Sequence, residues 1–191
     1  MHFKRPDLSL GWPAAWTLFW LIGGVCFVFT PRLGAQGAAQ REYEIKAAYL
    51  YNFINYINWP DRALPPAGGA ITIGVIGQNP FGSALAPLAG KRIKGRSVAV
   101  KECASLTDAA GCQIVFISPS EKQRLDEILQ GLKDAKVLSV SEIDGFAERG
   151  GIINFISERN KIRFEINSEA ARRTGLTISS ELLKLARLVK S

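Results

Sequence analysis

The sequence predicts an α/β fold: a single three-layer domain with a mostly parallel sheet of about five to six strands, helices on both faces and a C-terminal antiparallel hairpin. Three observations predict it. Short apolar runs rich in β-branched residues, ITIGVIG (71–77), SVAVKE (97–102), QIVFIS (113–118) and VLSVSE (137–142), alternate with segments of helix or turn character. Two further runs, IINFISE (152–158) and KIRFEIN (161–167), are separated only by Arg159-Asn160, the spacing of a tight hairpin. The chain has 191 residues, 47% hydrophobic and 21% charged, which is room for one ordinary globular domain.

Each element has its own justification. Residues 42–59 (EYEIKAAYLYNFINYINW) read as one helix stopped by Pro60, with Tyr43, Ala47, Leu50, Ile54 and Ile57 in one apolar stripe and Tyr49, Phe53 and Tyr56 in a second. A loop rich in Pro, Gly and Ala (61–70) leads to the first strand, and NPFG (79–82) turns into a short helix ending near Gly90. Pro119 after Ser118 opens a helix running to about Gly131. After the hairpin, residues 168–174 and 179–190 read as helices. In the last, Ile178, Leu182, Leu185 and Val189 form a stripe opposite Lys184, Arg187 and Lys190.

The first 39 residues read differently. Lys4 and Arg5 precede a charge-free apolar run, Ala14–Thr30, followed by the small residues of Leu33-Gly34-Ala35. That is the pattern of a signal peptide cleaved near Ala35 or Ala39, with an uncleaved membrane anchor as the alternative. The domain is then residues 40–191 in a non-cytoplasmic compartment, and nucleic acid is not an expected partner despite the net charge of +7. Cys103 and Cys112, with eight residues between them, remain after cleavage and in an exported protein read most simply as a disulfide, worth about 2–3 kcal/mol for so short a loop. The spacing lacks the Cys-x-x-Cys form of redox catalysts.

Composition also limits the chemistry. The one histidine is His2, so the processed chain has none. Histidine bases, Ser-His-Asp and Cys-His nucleophiles and His-ligated metals are excluded. No catalytic residue, metal or cofactor is expected. Gly74, Gly77 and Gly82 do not fit G-x-G-x-x-G, and the region lacks a P-loop's Lys-Ser/Thr, so these glycines read as sites of close packing. KRIKGRSVAVK (91–101) carries five basic residues and no acid, as a solvated turn or a contact for an anion.

Two patterns remain as candidate sites. Six of the eleven aromatics after the leader lie in residues 43–59, a density that fits either a core or a binding surface. In RFEIN, Arg163, Glu165 and Asn167 share one strand face, to orient a polar ligand or to form an internal salt bridge.

In order along the chain, EYEIKAAYLYNFINYINWP, IGVIGQNPFG, LAGKRIKGR, CQIVFIS, ERGGIINF, RFEIN and ISSELLKLA together resemble the YfiR-like family of exported bacterial proteins, over about residues 41–189. The resemblance implies a dimeric periplasmic α/β protein without catalytic activity that represses an inner-membrane diguanylate cyclase, with an outer-membrane OmpA-like lipoprotein able to sequester it and thiol redox state able to modulate it. It places Asn52, Phe53, Trp59, Asn154 and Phe155 as candidate partner-binding positions. Arg163, Glu165, Asn167, Ser179 and Ser180 match the family pattern as a candidate polar cluster, as do Gly150 and Gly151. The second cysteine pair of some members is missing from the C-terminal half, so redox control rests on Cys103 and Cys112 alone or is absent. The expected function is therefore repression of that cyclase in response to envelope or redox state. The rival expectation is a periplasmic small-ligand sensor or carrier acting on another membrane signalling protein.

Overall fold

The computed structural model describes His2 and residues 33–60, 63–159 and 161–190; the expected leader run Ala14–Thr30 lies outside them. In chain order the elements are α1 (Leu33–Tyr56), β1 (Ile57–Asn58), β2 (Ala70–Ile76), β3 (Arg92–Ile93), β4 (Arg96–Cys103), α2 (Leu106–Ala110), β5 (Ile114–Ile117), α3 (Leu125–Leu132), β6 (Leu138–Ser141), β7 (Ile153–Glu158), β8 (Lys161–Ile166), α4 (Ser168–Arg173), β9 (Thr177–Ile178), α5 (Ser180–Leu185) and β10 (Arg187–Leu188).

Eight strands form one sheet in the order β10-β8-β7-β6-β5-β2-β4-β3. The β4-β2-β5-β6-β7 run is parallel, and β7–β8 is the expected antiparallel hairpin, with Glu158 opposite Lys161 and Arg159 at φ 51 in the turn. The mixed α/β, mostly parallel architecture is as the sequence predicts, with the six longer strands in the expected places. Alternation along the buried strands splits the core in two. Ile73, Val75, Ile114 and Phe116 pack on the α1 side with α4 and α5. Val115 and Ile117 face Leu125, Ile128 and Leu132 of α3 on the other.

Three details correct the element assignments. The first helix does not run to Trp59: it ends at Tyr56, whose carbonyl accepts from the Ser179 N–H at 2.8 Å, and Ile57–Asn58 pair antiparallel with Thr177–Ile178. The last helix stops at Leu185 because Ala186 turns extended (ψ 154) and Arg187–Leu188 join β8 in parallel, leaving Leu185 65% exposed and off any buried stripe. Within the basic run, Lys94 (φ 50) and Gly95 (φ 73) make a tight turn that pairs β3 with β4. There the Lys94 ammonium donates to the Ile57 carbonyl at 3.1 Å and Arg96 to that of Pro65 at 2.8 Å, so both charges also serve the fold.

Candidate functional site

The aromatic block is core. Phe53 is 1% exposed and packs on Phe155 and Phe164 at centroid distances of 6.0 and 5.4 Å, with Tyr49 closing the cluster. Trp59, Asn154 and Phe155 are likewise buried; of the five candidate partner-binding positions only Asn52 is exposed. The burial has a plain cause: the two adjacent stripes on α1 face the sheet together, so a helix apolar over most of its circumference is covered by β7 and β8 of its own chain. The Trp59 Nε1 and Asn154 Oδ1 atoms are buried without a hydrogen-bond partner.

The polar cluster is split. Arg163 is exposed and does not meet Glu165, which is 2% exposed. Glu165 instead accepts from Asn154 Nδ2 at 3.2 Å and from Nε of Arg187 at 2.8 Å, with a second bond from Arg187 Nη2 to the same oxygen. The register Arg187 opposite Glu165 in the β8–β10 pair makes this contact, so the ion pair fastens the C-terminus to the sheet. Asn167 caps α4 by accepting from the Ala170 N–H at 2.8 Å and donates to the Ala147 carbonyl at 2.8 Å; Ser179 caps α5 by accepting from the Leu182 N–H at 3.3 Å. Ser180 opens α5 beside it.

Sequence reasoning missed a third constellation. Lys46, 4% exposed, is bonded to Glu42 at 2.5 Å and to Glu142, which also accepts from the Tyr43 hydroxyl at 2.7 Å. Burial first, and then the bond to Glu142, push the Tyr43 phenol well above its ordinary pKa. The i, i+4 spacing of Glu42 and Lys46 was readable on α1; Glu142, ninety-six positions further on, carried no signal. Around this clasp, beyond the carboxyl end of β6, is a cleft of about 520 Å³ lined by Lys46, Glu142, Asp144, Phe155, Glu158 and Arg187. Such clefts at the carboxyl ends of parallel strands are where α/β folds hold ligands. Among the described residues no group of three His, Cys, Asp or Glu side chains is placed to hold a metal ion.

Cys103, ending β4, and Cys112, beside β5, come together from strands on either side of β2, their thiols buried and in hydrogen-bond contact at 3.8 Å without a disulfide. Gly74 on β2 makes room for them: a Cβ there would lie 2.6 Å from one sulfur and 2.8 Å from the other. The expectation of glycine for close packing fits this position and Gly77 (φ 85), which sits against Ser120 and Glu121. Burial first, then the neighbouring Cys103, raise the Cys112 thiol from 9.0 to about 12. In the dithiol form Cys112 should therefore resist iodoacetamide at pH 8 until the protein is unfolded, because the thiolate is the nucleophile. Because the folded thiol holds its proton more tightly than the unfolded one, its contribution is intact below pH 9 and lost as pH rises toward about 12. A denaturation series from pH 8 to 10 should show falling stability in the dithiol protein and no such loss from these groups once they are oxidised.

Residues 43–187 match the YfiR/HmsC-like family. The chain belongs to that family. That family is one of periplasmic regulators of cyclic-di-GMP signalling. No helix of the described residues is long and apolar enough to cross a membrane. No curated protein matches the chain. Among solved structures it is similar to a conserved domain protein from Vibrio cholerae O1 biovar El Tor strain N16961, at 13% identity and a TM-score of 0.53, over 78% of this chain and 60% of that one. It also matches the ABC domain crystallised with L-Trp from Streptococcus pneumonia, at 14% identity and a TM-score of 0.45, over 67% of this chain and 57% of that one. This chain thus spans about three-fifths of each of these proteins, and the Vibrio likeness supports the fold alone.

Proposed function

We propose that this member of the YfiR/HmsC-like family binds the periplasmic part of an inner-membrane diguanylate cyclase and holds it inactive, lowering cyclic-di-GMP in response to envelope or redox state. The observation that carries the reading is the family match, which covers nearly the whole compact domain. A repressor acts through its preference for one state of its target, and moving a balance from 1:99 to 99:1 takes about 5.5 kcal/mol of such preference. A homodimer engaging two cyclase subunits would double the preference that one contact supplies, and an outer-membrane OmpA-like lipoprotein competing for the regulator would relieve it. Processing near Ala35 or Ala39 would release it into the periplasm.

The redox input is the Cys103–Cys112 pair. A periplasmic disulfide oxidant takes two electrons, two protons leave, and the sulfurs close from 3.8 Å to bonding distance across Gly74. The test is recovery of the tagged protein from solubilised envelope, with and without thiol reductant. A diguanylate cyclase should co-purify, and deleting the regulator should raise cyclic-di-GMP. Capture of an unrelated receptor, or unchanged cyclic-di-GMP on deletion, would remove the reading. The cleft beside Lys46 and Glu142 favours one alternative, a small-ligand sensor, for which a specific thermal shift with a metabolite is the expected signature.

A further inference from the structure

We infer that the outer edge of β8 is a strand-addition site for an extended, acidic segment of a partner protein. All six residues of β8 pair with β7. On the other side only Glu165 and Ile166 have neighbours, Arg187 and Leu188 of β10. No described strand lies beyond Lys161–Phe164. On this side the Ile166 carbonyl accepts from the Val189 N–H at 2.9 Å. With a period of two, the N–H and C=O of Ile162 and the N–H of Phe164 face the same open way, while the parallel pairing of Arg187 with Glu165 takes up the Phe164 carbonyl; the open groups are a template for another strand.

The surroundings specify what fits. A groove of about 860 Å³ runs between this edge and α1, with Ile45, Tyr49 and Ile162 among its apolar lining and Arg41, Lys161 and Arg163 among its charges. Ile45 is 49% exposed, and Leu188, also exposed, lies on β10, the strand beside β8. The three basic groups make no ion pair with a described residue, whereas Glu42, also in the groove, is bound to Lys46. An added strand that alternates acidic and apolar residues would meet both the free charges and the uncovered apolar surface. A second copy of this chain fits poorly, since antiparallel pairing of two such edges brings Lys161 and Arg163 of both copies together; basic residues on an edge are a usual guard against self-pairing.

The inference deepens the regulator reading by giving its partner a surface and a chemistry, and rests on that reading only for the partner's existence. The test uses the purified protein and a labelled synthetic peptide of alternating glutamate and valine, with a lysine–valine peptide as control. The expected result is binding of the glutamate peptide alone, weakened by salt, with the Ile162 and Phe164 amides becoming protected from hydrogen exchange. The double charge reversal K161E/R163E, on exposed side chains, should weaken that binding by about tenfold and admit the lysine peptide. Ile162→Pro, which removes one outward N–H, should weaken binding of the glutamate peptide. Equal affinity for both peptides, binding without protection of those two amides, or amides already protected in a self-associated protein would overturn it. Charge-selective strand addition with no cyclase recovered from the envelope would leave the site standing and remove the regulator reading. Cyclase recovery undiminished by K161E/R163E would do the reverse.

Discussion

Phe53→Ala is expected to lower stability by about 3–5 kcal/mol, the range for emptying a large aromatic site in a packed core. The ring is 1% exposed and touches Phe155 and Phe164 of the β7–β8 hairpin, so its removal opens a void at the point where α1 grips the sheet. A domain with the usual margin of about 5–15 kcal/mol would lose much of it, and the steady-state amount of folded protein would fall with it. Urea unfolding should show a lower midpoint with an unchanged slope, and any loss of repression in cells should track protein abundance. Phe53→Leu should cost about 1 kcal/mol. Trp59 behaves differently: its Nε1 is buried without a partner, so Trp59→Phe removes an unsatisfied donor and should be nearly neutral. A Phe53→Ala protein as stable as the parent but unable to repress would return this side chain to the partner surface.

That contrast shows where the sequence was legible. The six longer strands were readable because each carries a clustered or alternating set of apolar residues between turn signals, and the β7–β8 hairpin because two residues separate its arms. The two-residue strands β1, β3, β9 and β10 carry no periodicity, and only their pairing partners define them. Pro60 looked like the stop for the first helix, yet the helix yields four residues earlier because Ser179 supplies an N–H to Tyr56. Aromatic density between Tyr43 and Trp59 could not separate core from interface; the answer lay in Phe155 and Phe164, a hundred residues away. Glu165 found its cation on β10 rather than at Arg163, since the parallel register sets Arg187 directly opposite. The chemistry was visible residue by residue, and its pairing depended on contacts far apart in the chain.

The clasp at Lys46 makes the second large prediction. Lys46→Ala should destabilise the protein by about 2–4 kcal/mol, more than its exposed neighbours would, because it strands a largely buried carboxylate. Glu142, whose side chain is 13% exposed, would keep only the Tyr43 hydroxyl as a described partner. Glu42 is 45% exposed at its side chain and can turn to water, so Glu42→Ala should cost under about 1 kcal/mol. The pair Lys46→Met with Glu142→Gln separates charge from packing. Removing both charges together should recover much of what Lys46→Met alone loses, giving a coupling of about 1–3 kcal/mol in a double-mutant cycle. Additive losses would mean that the ammonium is satisfied by solvent and the clasp is only proximity. Since the ion pair ties α1 to the segment after β6, amides of α1 around Lys46 should exchange faster in Lys46→Ala, while those of β2 and β5 stay protected. That local release would also open the wall of the cleft shared by Lys46, Glu142 and Asp144, coupling the seating of α1 to whatever occupies it.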